Sequence, residues 1–306
     1  MMRIAIAGSG GLAHFIAYYI HEETRHETLF LSRIPKPQLA AQGHQVQVVD
    51  YNDPESLLFA LRGIDTVIST VTGPPQLQLI RAAVQIGVRR FAPAEFDGPP
   101  SLRPNPDPLD RGQAAALAWL AHHRNSIQST VFVCGILYER FQQGGLAQSR
   151  IGLSSGVAGE GDYIMDIRNM SAQVPVWMAD NSYATVCLTA AHDVGRFVAK
   201  AIDLPQWPAE LRMCGERVTV NTLVQLVQQL KGTTFNPIQW HNPASLRSAL
   251  ILAVSQHDVP EQWRLQNLIA TSAGRFDFVQ PNLNAQFPAI QPLRFDDWLS
   301  RNWELQ

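Results

Sequence analysis

Cysteine is scarce and scattered: Cys134, Cys187 and Cys214 are the only three in 306 residues. No C-x-x-C pair occurs, which argues against a disulfide framework and a cysteine zinc site and fits a reducing compartment. Lysine is equally rare, at Lys36, Lys200 and Lys231 only. Lys+Arg total 24 against 26 for Asp+Glu, a formal net charge of -2. That balance lacks the basic excess of proteins that hold phosphate backbones, so no direct nucleic-acid partner is expected. No apolar run approaches the ~18 residues of a spanning helix, and no membrane partner is expected. The apolar start runs straight into Gly8-Ser9-Gly10-Gly11, which reads as a fold element and not a leader, so the expected location is cytoplasmic. No His, Asp or Glu cluster has metal spacing, since His122 and His123 are adjacent on one helix, and no metal is expected. A G-x-S-x-G nucleophile elbow is absent as well.

What is present is a core-forming composition, 46% hydrophobic, arranged as a strand–helix alternation. Short apolar runs at 3–7, 28–32, 46–49, 66–69, 88–92 and 129–133 read as strands. Helical patterns at 12–21, 54–61, 76–86 and 109–123 separate most of them. Asp53 and Pro54 mark one helix start, and Gly87 marks one helix end. Apolar strands alternating with helices predict a doubly wound parallel sheet of the Rossmann type, an α/β fold, over about 135 residues. The second half lacks that repeat. Helices are expected at 193–204, 219–230, 244–254, 262–273 and 295–303, with a short strand at 235–240, which together make a smaller mixed α/β lobe. The expected division is 1–150 and 151–306. The proline-rich stretch 99–108 and the Gly/Ser-rich stretch 152–161 are loops, placed where lids or ordinary surface loops occur.

Gly8-Ser9-Gly10-Gly11-Leu12-Ala13 fits G-x-G-x-x-A between a strand and a helix. Gly8 permits the tight turn, Gly10 and Gly11 let backbone N–H groups of the loop and of Leu12 approach a pyrophosphate, and Ala13 allows close helix–sheet packing. After the second strand an NAD site would carry an acid for the ribose 2′-hydroxyl. Here the chain reads Ser32-Arg33, with Lys36 following. A guanidinium forks onto a 2′-phosphate, so the expected cofactor is NADP(H) and the first half is its domain. Thr70 and Val71 end the fourth strand, and Cys134 and Gly135 end the sixth; both pairs are candidates to flank the nicotinamide.

These residues resemble the NmrA-like and isoflavone reductase-like family of atypical short-chain dehydrogenases, in particular its fungal members. The likeness rests on the glycine loop, on Arg33, and on the run Gly87-Val88-Arg89-Arg90-Phe91-Ala92-Pro93-Ala94-Glu95-Phe96. That run is similar to the family's G-V-x-R-F-x-P-S-E-F, with Ala94 in place of serine. Asp193-Val194-Gly195 is similar to its D-I-G segment. The resemblance implies NADPH binding and, in the reductases, a general acid/base lysine before the sixth strand. This chain has no lysine from Pro37 to Ala199, and Gln113 stands nearest that position. The Tyr-x-x-x-Lys pair of typical short-chain dehydrogenases is also absent.

Three other side chains are candidates for chemistry. Tyr138, just past the sixth strand, is a candidate proton donor at the cleft edge. Glu95, at the fifth strand's end, is a candidate acid/base, and Gln113 a group that orients an acceptor. Tyr163 and Trp177 are candidates to line a substrate lobe. For Tyr138, Tyr163 and Trp177 core packing is the competing reading, and for Glu95 a structural carboxylate. Three functions remain open. The first is NADPH-dependent reduction of an apolar small molecule at a carbonyl, imine or activated alkene, in secondary metabolism. The second is an NADP(H)-sensing regulator with a protein partner. The third is a cyclase that does not consume its cofactor.

Overall fold

The computed structural model describes residues 1–304. In the first half the elements are β1 (Arg3–Ala7), α1 (Gly11–Glu23), β2 (Glu27–Ser32), α2 (Pro37–Ala41), β3 (Gln45–Val48), α3 (Pro54–Ala60) and β4 (Thr66–Ser69). There follow α4 (Pro74–Ile86), β5 (Arg90–Ala92), α5 (Gln113–His122), β6 (Gln128–Ser129), β7 (Val131–Val133), β8 (Ile136–Leu137) and α6 (Gly145–Gln148). The rest comprises β9 (Met165–Asp166), β10 (Ser171–Pro175), β11 (Thr185–Thr189), α7 (Ala191–Ala201), β12 (Glu210–Arg212), β13 (Glu216–Thr219) and α8 (Val220–Lys231). The chain closes with β14 (Ile238–His241), α9 (Pro243–Ser255), α10 (Val259–Ser272), α11 (Asn282–Gln286) and α12 (Phe295–Trp303).

The expected doubly wound sheet is present. Its order is β3-β2-β1-β4-β5-β6, and every pairing within it is parallel. Ala5, Ala7, Leu29, Leu31, Val67 and Phe91 pack from the sheet with Leu79, Ile80, Ala83, Ala116 and Leu120 from α4 and α5. The period-2 alternation along each strand sends one residue set to this face and the other to the opposite one. The expected sixth strand is broken at Thr130: β6 pairs with β5, whereas β7 pairs with β12. Gly195 in α7 approaches α1 so closely that a Cβ there would lie 2.6 Å from the Phe15 carbonyl oxygen. Close backbone approach is the physical demand behind the Asp-Val-Gly segment.

Two compact units share the chain. One comprises Met1–Phe96, Asp110–Val133 and Val194–Arg212; the other comprises Asp97–Leu109, Cys134–Asp193 and the chain from Met213 onward. They interleave, and the expected division at 150/151 coincides with none of their boundaries. The second unit holds two three-stranded sheets, β14-β10-β9 and β13-β11-β8. Its core gathers Tyr138, Phe141, Tyr163, Val186, Leu223, Phe295 and Trp298. The proline-rich stretch is not a free flap. Arg275, with its side chain 3% exposed, pairs with Asp97 at 3.0 Å and Asp107 at 2.9 Å.

Candidate functional site

In the first unit, β1 delivers the chain into Gly8 at φ +103°, a conformation that L side chains rarely adopt. A Cβ at Gly8 would collide with the Thr70 hydroxyl and press on Val71. Thr70 is fixed there twice, its N–H donating to the Ala7 carbonyl at 2.8 Å and its hydroxyl to the same oxygen at 2.9 Å. The glycine loop and the end of β4 therefore form one cradle. Helix α1 opens from it with Gly10 as N-cap, no side-chain cap and no acid in its first turn. Its first N–H groups and the positive end of its dipole are left for an anion. Arg33 and Lys36 follow β2. Arg33 is exposed and Lys36 half-buried, and neither side chain has a hydrogen bond or ion pair among the described residues. Tyr51 lies buried, its hydroxyl donating to the Leu31 carbonyl at 3.2 Å.

Helices α4 and α5 begin side by side. Gly112, at φ +88°, lies so close to Gly73 that a Cβ would sit 2.9 Å from the Gly73 Cα. Gln113 is buried, and its side-chain oxygen accepts the Arg111 N–H at 2.8 Å; Asp110 accepts the N–H of Gln113 itself at 2.8 Å. The side-chain carbonyl of Gln113 is thus engaged in the turn that starts α5. Glu95 is fully buried. One residue that the sequence reading missed supports this end of the sheet. Gln76, also fully buried, accepts the Ala94 N–H at 2.7 Å and ties α4 to the run after β5. Its only signal was a polar side chain among buried neighbours of α4.

The other candidates fall in the second unit, and their placement corrects several expectations. Tyr138 is not at a cleft edge. It is fully buried, its hydroxyl donates to the Leu293 carbonyl at 3.0 Å, and its ring packs on Phe295 and Trp298. Burial, reinforced by Glu216, holds this phenol far above its usual range. Tyr163 is likewise core, with its hydroxyl 2.6 Å from that of Thr271 and its own titration pushed up by burial. Trp177 is half-buried against the same core and bridges to Tyr183. Cys134 is buried, with its thiol held up by burial. Its carbonyl accepts from the Thr189 hydroxyl at 2.7 Å, and its N–H and that of Gly135 donate to the Asp97 carbonyl.

Beside Tyr138 stands a second residue that the sequence reading missed. Both oxygens of the buried Glu139 accept the Ala191 N–H, at 3.0 and 3.1 Å, at the start of α7. Burial raises its carboxyl to about 7, and Asp193 pushes it the same way. Asp193, of the Asp-Val-Gly segment, accepts the Leu293 N–H at 2.8 Å. No group of three or more His, Cys, Asp or Glu among the described residues could hold a metal. No helix among them is long and apolar enough to cross a membrane.

The sheet order, the glycine cradle and the open N-terminus of α1 make a Rossmann-type fold, and solved structures share it. The pinoresinol-lariciresinol and phenylcoumaran benzylic ether reductases, described with their relationship to isoflavone reductases, superpose with a TM-score of 0.71. They are 20% identical to this chain, and the match covers 98% of it and 99% of theirs. AtPrR2 with NADP+ and (+)-pinoresinol gives 0.70 at 19% identity, covering 98% of each chain. In sequence, Oxidoreductase BOA1 of Botryotinia fuckeliana (strain B05.10) is 26% identical over 97% of this chain and 100% of its own length. No family model matches. The likeness to isoflavone reductase-like proteins of fungal type, read from the glycine loop and the run 87–96, is borne out.

Proposed function

We propose that this chain is an NADPH-dependent oxidoreductase that reduces an apolar small molecule at a carbonyl, imine or activated alkene, in secondary metabolism. One observation carries the reading: the uncapped start of α1 opens from a cradle that only glycine fits, with two unpaired cations after the neighbouring strand. The relatives support it, since one is an oxidoreductase and a neighbour holds NADP+ with (+)-pinoresinol. When bound, the dinucleotide supplies a hydride. The first N–H groups of α1 neutralise its pyrophosphate. Arg33, joined by Lys36, selects the 2′-phosphate over a plain hydroxyl. Thr70 and Val71 wall the cradle.

The proton has a different origin from that of a lysine enzyme. The Tyr138 hydroxyl and the Gln113 carbonyl are both engaged internally. Water then completes the reduction, or the substrate arrives already protonated, as an imine does near neutral pH. The same engagement favours a second reading, an NADP(H) sensor that binds a protein partner without turnover. The test is loss of NADPH absorbance when the protein meets a panel of aromatic carbonyls, imines and enones. Substrate-dependent loss supports reduction. Tight NADPH binding with no loss across the panel, and a partner that copurifies, moves the sensor to the front. Product formation that is indifferent to the cofactor's redox state points to ring closure.

A further inference from the structure

Within the first unit, away from the residues assigned above, lies an open groove of about 490 Å³. That volume is in the range of small-ligand sites, about 300–1,000 Å³. One wall is α5 and the turn that follows it: Leu117, Leu120 and Ala121 line it from one face of the helix, at spacings i, i+3 and i+4, and Arg124 from the turn after His122. The opposite wall is the segment Gln128–Val131, where the chain leaves one sheet for another. Arg124 is the only charged residue among the lining, and its side chain has no ion pair or hydrogen bond among the described residues. Thr130, at the break between β6 and β7, is 1% exposed, and its hydroxyl has no hydrogen-bond partner among the described residues. A buried hydroxyl without a partner is uncommon and calls for one.

We propose that this groove is an accessory binding site for a small monocarboxylate with an apolar body. The apolar body lies along Leu117 and Leu120 of the α5 face. The carboxylate pairs with the Arg124 guanidinium in a charge-assisted hydrogen bond and supplies the acceptor that the Thr130 hydroxyl lacks. No acid lines the groove to oppose it. The site is separate from the glycine cradle and stands whether or not the chain turns over NADPH.

Octanoate is the probe, titrated calorimetrically into the full chain with and without saturating NADPH. The expected result is saturable binding, unchanged by NADPH and at least about tenfold weaker for octanol, which lacks the charge. Arg124→Gln should weaken octanoate about tenfold without moving the NADPH titration. Thr130→Val removes the unpaired hydroxyl at nearly constant shape, so it should fold at least as stably and bind octanoate more weakly. Failure of octanoate to bind at millimolar concentration, equal binding of octanol, displacement by NADPH, or unchanged binding by Arg124→Gln would each overturn the proposal.

Discussion

Arg90 stands in the run 87–96 on which the family resemblance rests, and the structure gives it a physical task. Its guanidinium donates to the carbonyls of Ile202, Leu204 and Pro205 at 2.7–2.8 Å and to the Gln128 side chain at 2.9 Å. It also stacks on Trp207 at 5.1 Å. The planar fork satisfies carbonyls that the end of α7 leaves without partners. Arg90→Met should cost roughly 3 kcal/mol, because the buried carbonyls would be left behind. Arg90→Lys should recover little, since one ammonium cannot span three acceptors. The denaturation midpoint of each variant checks both expectations, and a loss under 1 kcal/mol would remove this role. Arg33 faces outward and has no such task in the fold. Arg33→Ala should therefore weaken NADPH ten- to a hundredfold, the worth of a charge-assisted bond of about 1.5–3 kcal/mol, and leave NADH nearly unchanged. Equal affinities of the native protein for the two cofactors would defeat the selection argument.

At the scale of elements, β1 to β5 with α1, α3 and α4 were legible because each is a buried apolar run or a helical stripe with its own start or stop residue, whereas the single-turn α2, only five residues long, was not. Asp53 accepts from Glu55 N at 3.0 Å, and Gly87 closes α4 in the left-handed conformation, both as the sequence suggested. The break at Thr130 was not legible. Thr130 lies within an otherwise continuous strand-like run, and only pairing with the distant β12 divides it. Strands β9 to β13 were missed for a similar reason: no strand–helix alternation marks them, and β10, β11 and β12 pair with β14, β8 and β7 far along the chain. Tyr138 illustrates the cost at the site. An aromatic after a strand end reads as a cleft residue, whereas its hydroxyl partner, Leu293, lies 155 positions away.

The start of α7 carries a pH dependence of its own. Glu139 is 3% exposed and titrates near 7, against an ordinary value of 4.5. The folded state thus holds a proton that the unfolded state releases between those values, and stability falls as pH rises through that window. The full effect is roughly 3 kcal/mol. Glu139→Gln keeps an acceptor for the Ala191 N–H and cannot ionise. Its stability relative to the native chain should therefore increase from pH 4.5 to about 7 and level off above. A constant difference across that range, read from urea midpoints, would show that Glu139 does not titrate there.

Over the whole molecule, the two lysines beyond Lys36 make peripheral contacts only. Lys200 pairs with Glu23 at 3.0 Å, and Lys231 lies 5.2 Å over the Trp303 ring. Replacing both by Arg should leave kcat within about twofold on any substrate that oxidises NADPH. A lost general acid/base would cost ~10²–10⁴-fold. A folded, NADPH-binding double variant without activity would mean that the chemistry lies elsewhere.

The interleaving of the two units also governs how the polypeptide is made. The chain passes from one unit to the other at 96/97, 109/110, 133/134, 193/194 and 212/213. The first unit's β7 has its partner only when β12 has been translated, and Arg90 meets its carbonyls only after Pro205. A nascent chain halted at residue 150 still lacks both, so a ribosome-bound or recombinant 1–150 fragment should expose apolar surface and resist cooperative melting. A chain extended past Arg212 should be the first to acquire a protease-resistant nucleotide-binding unit.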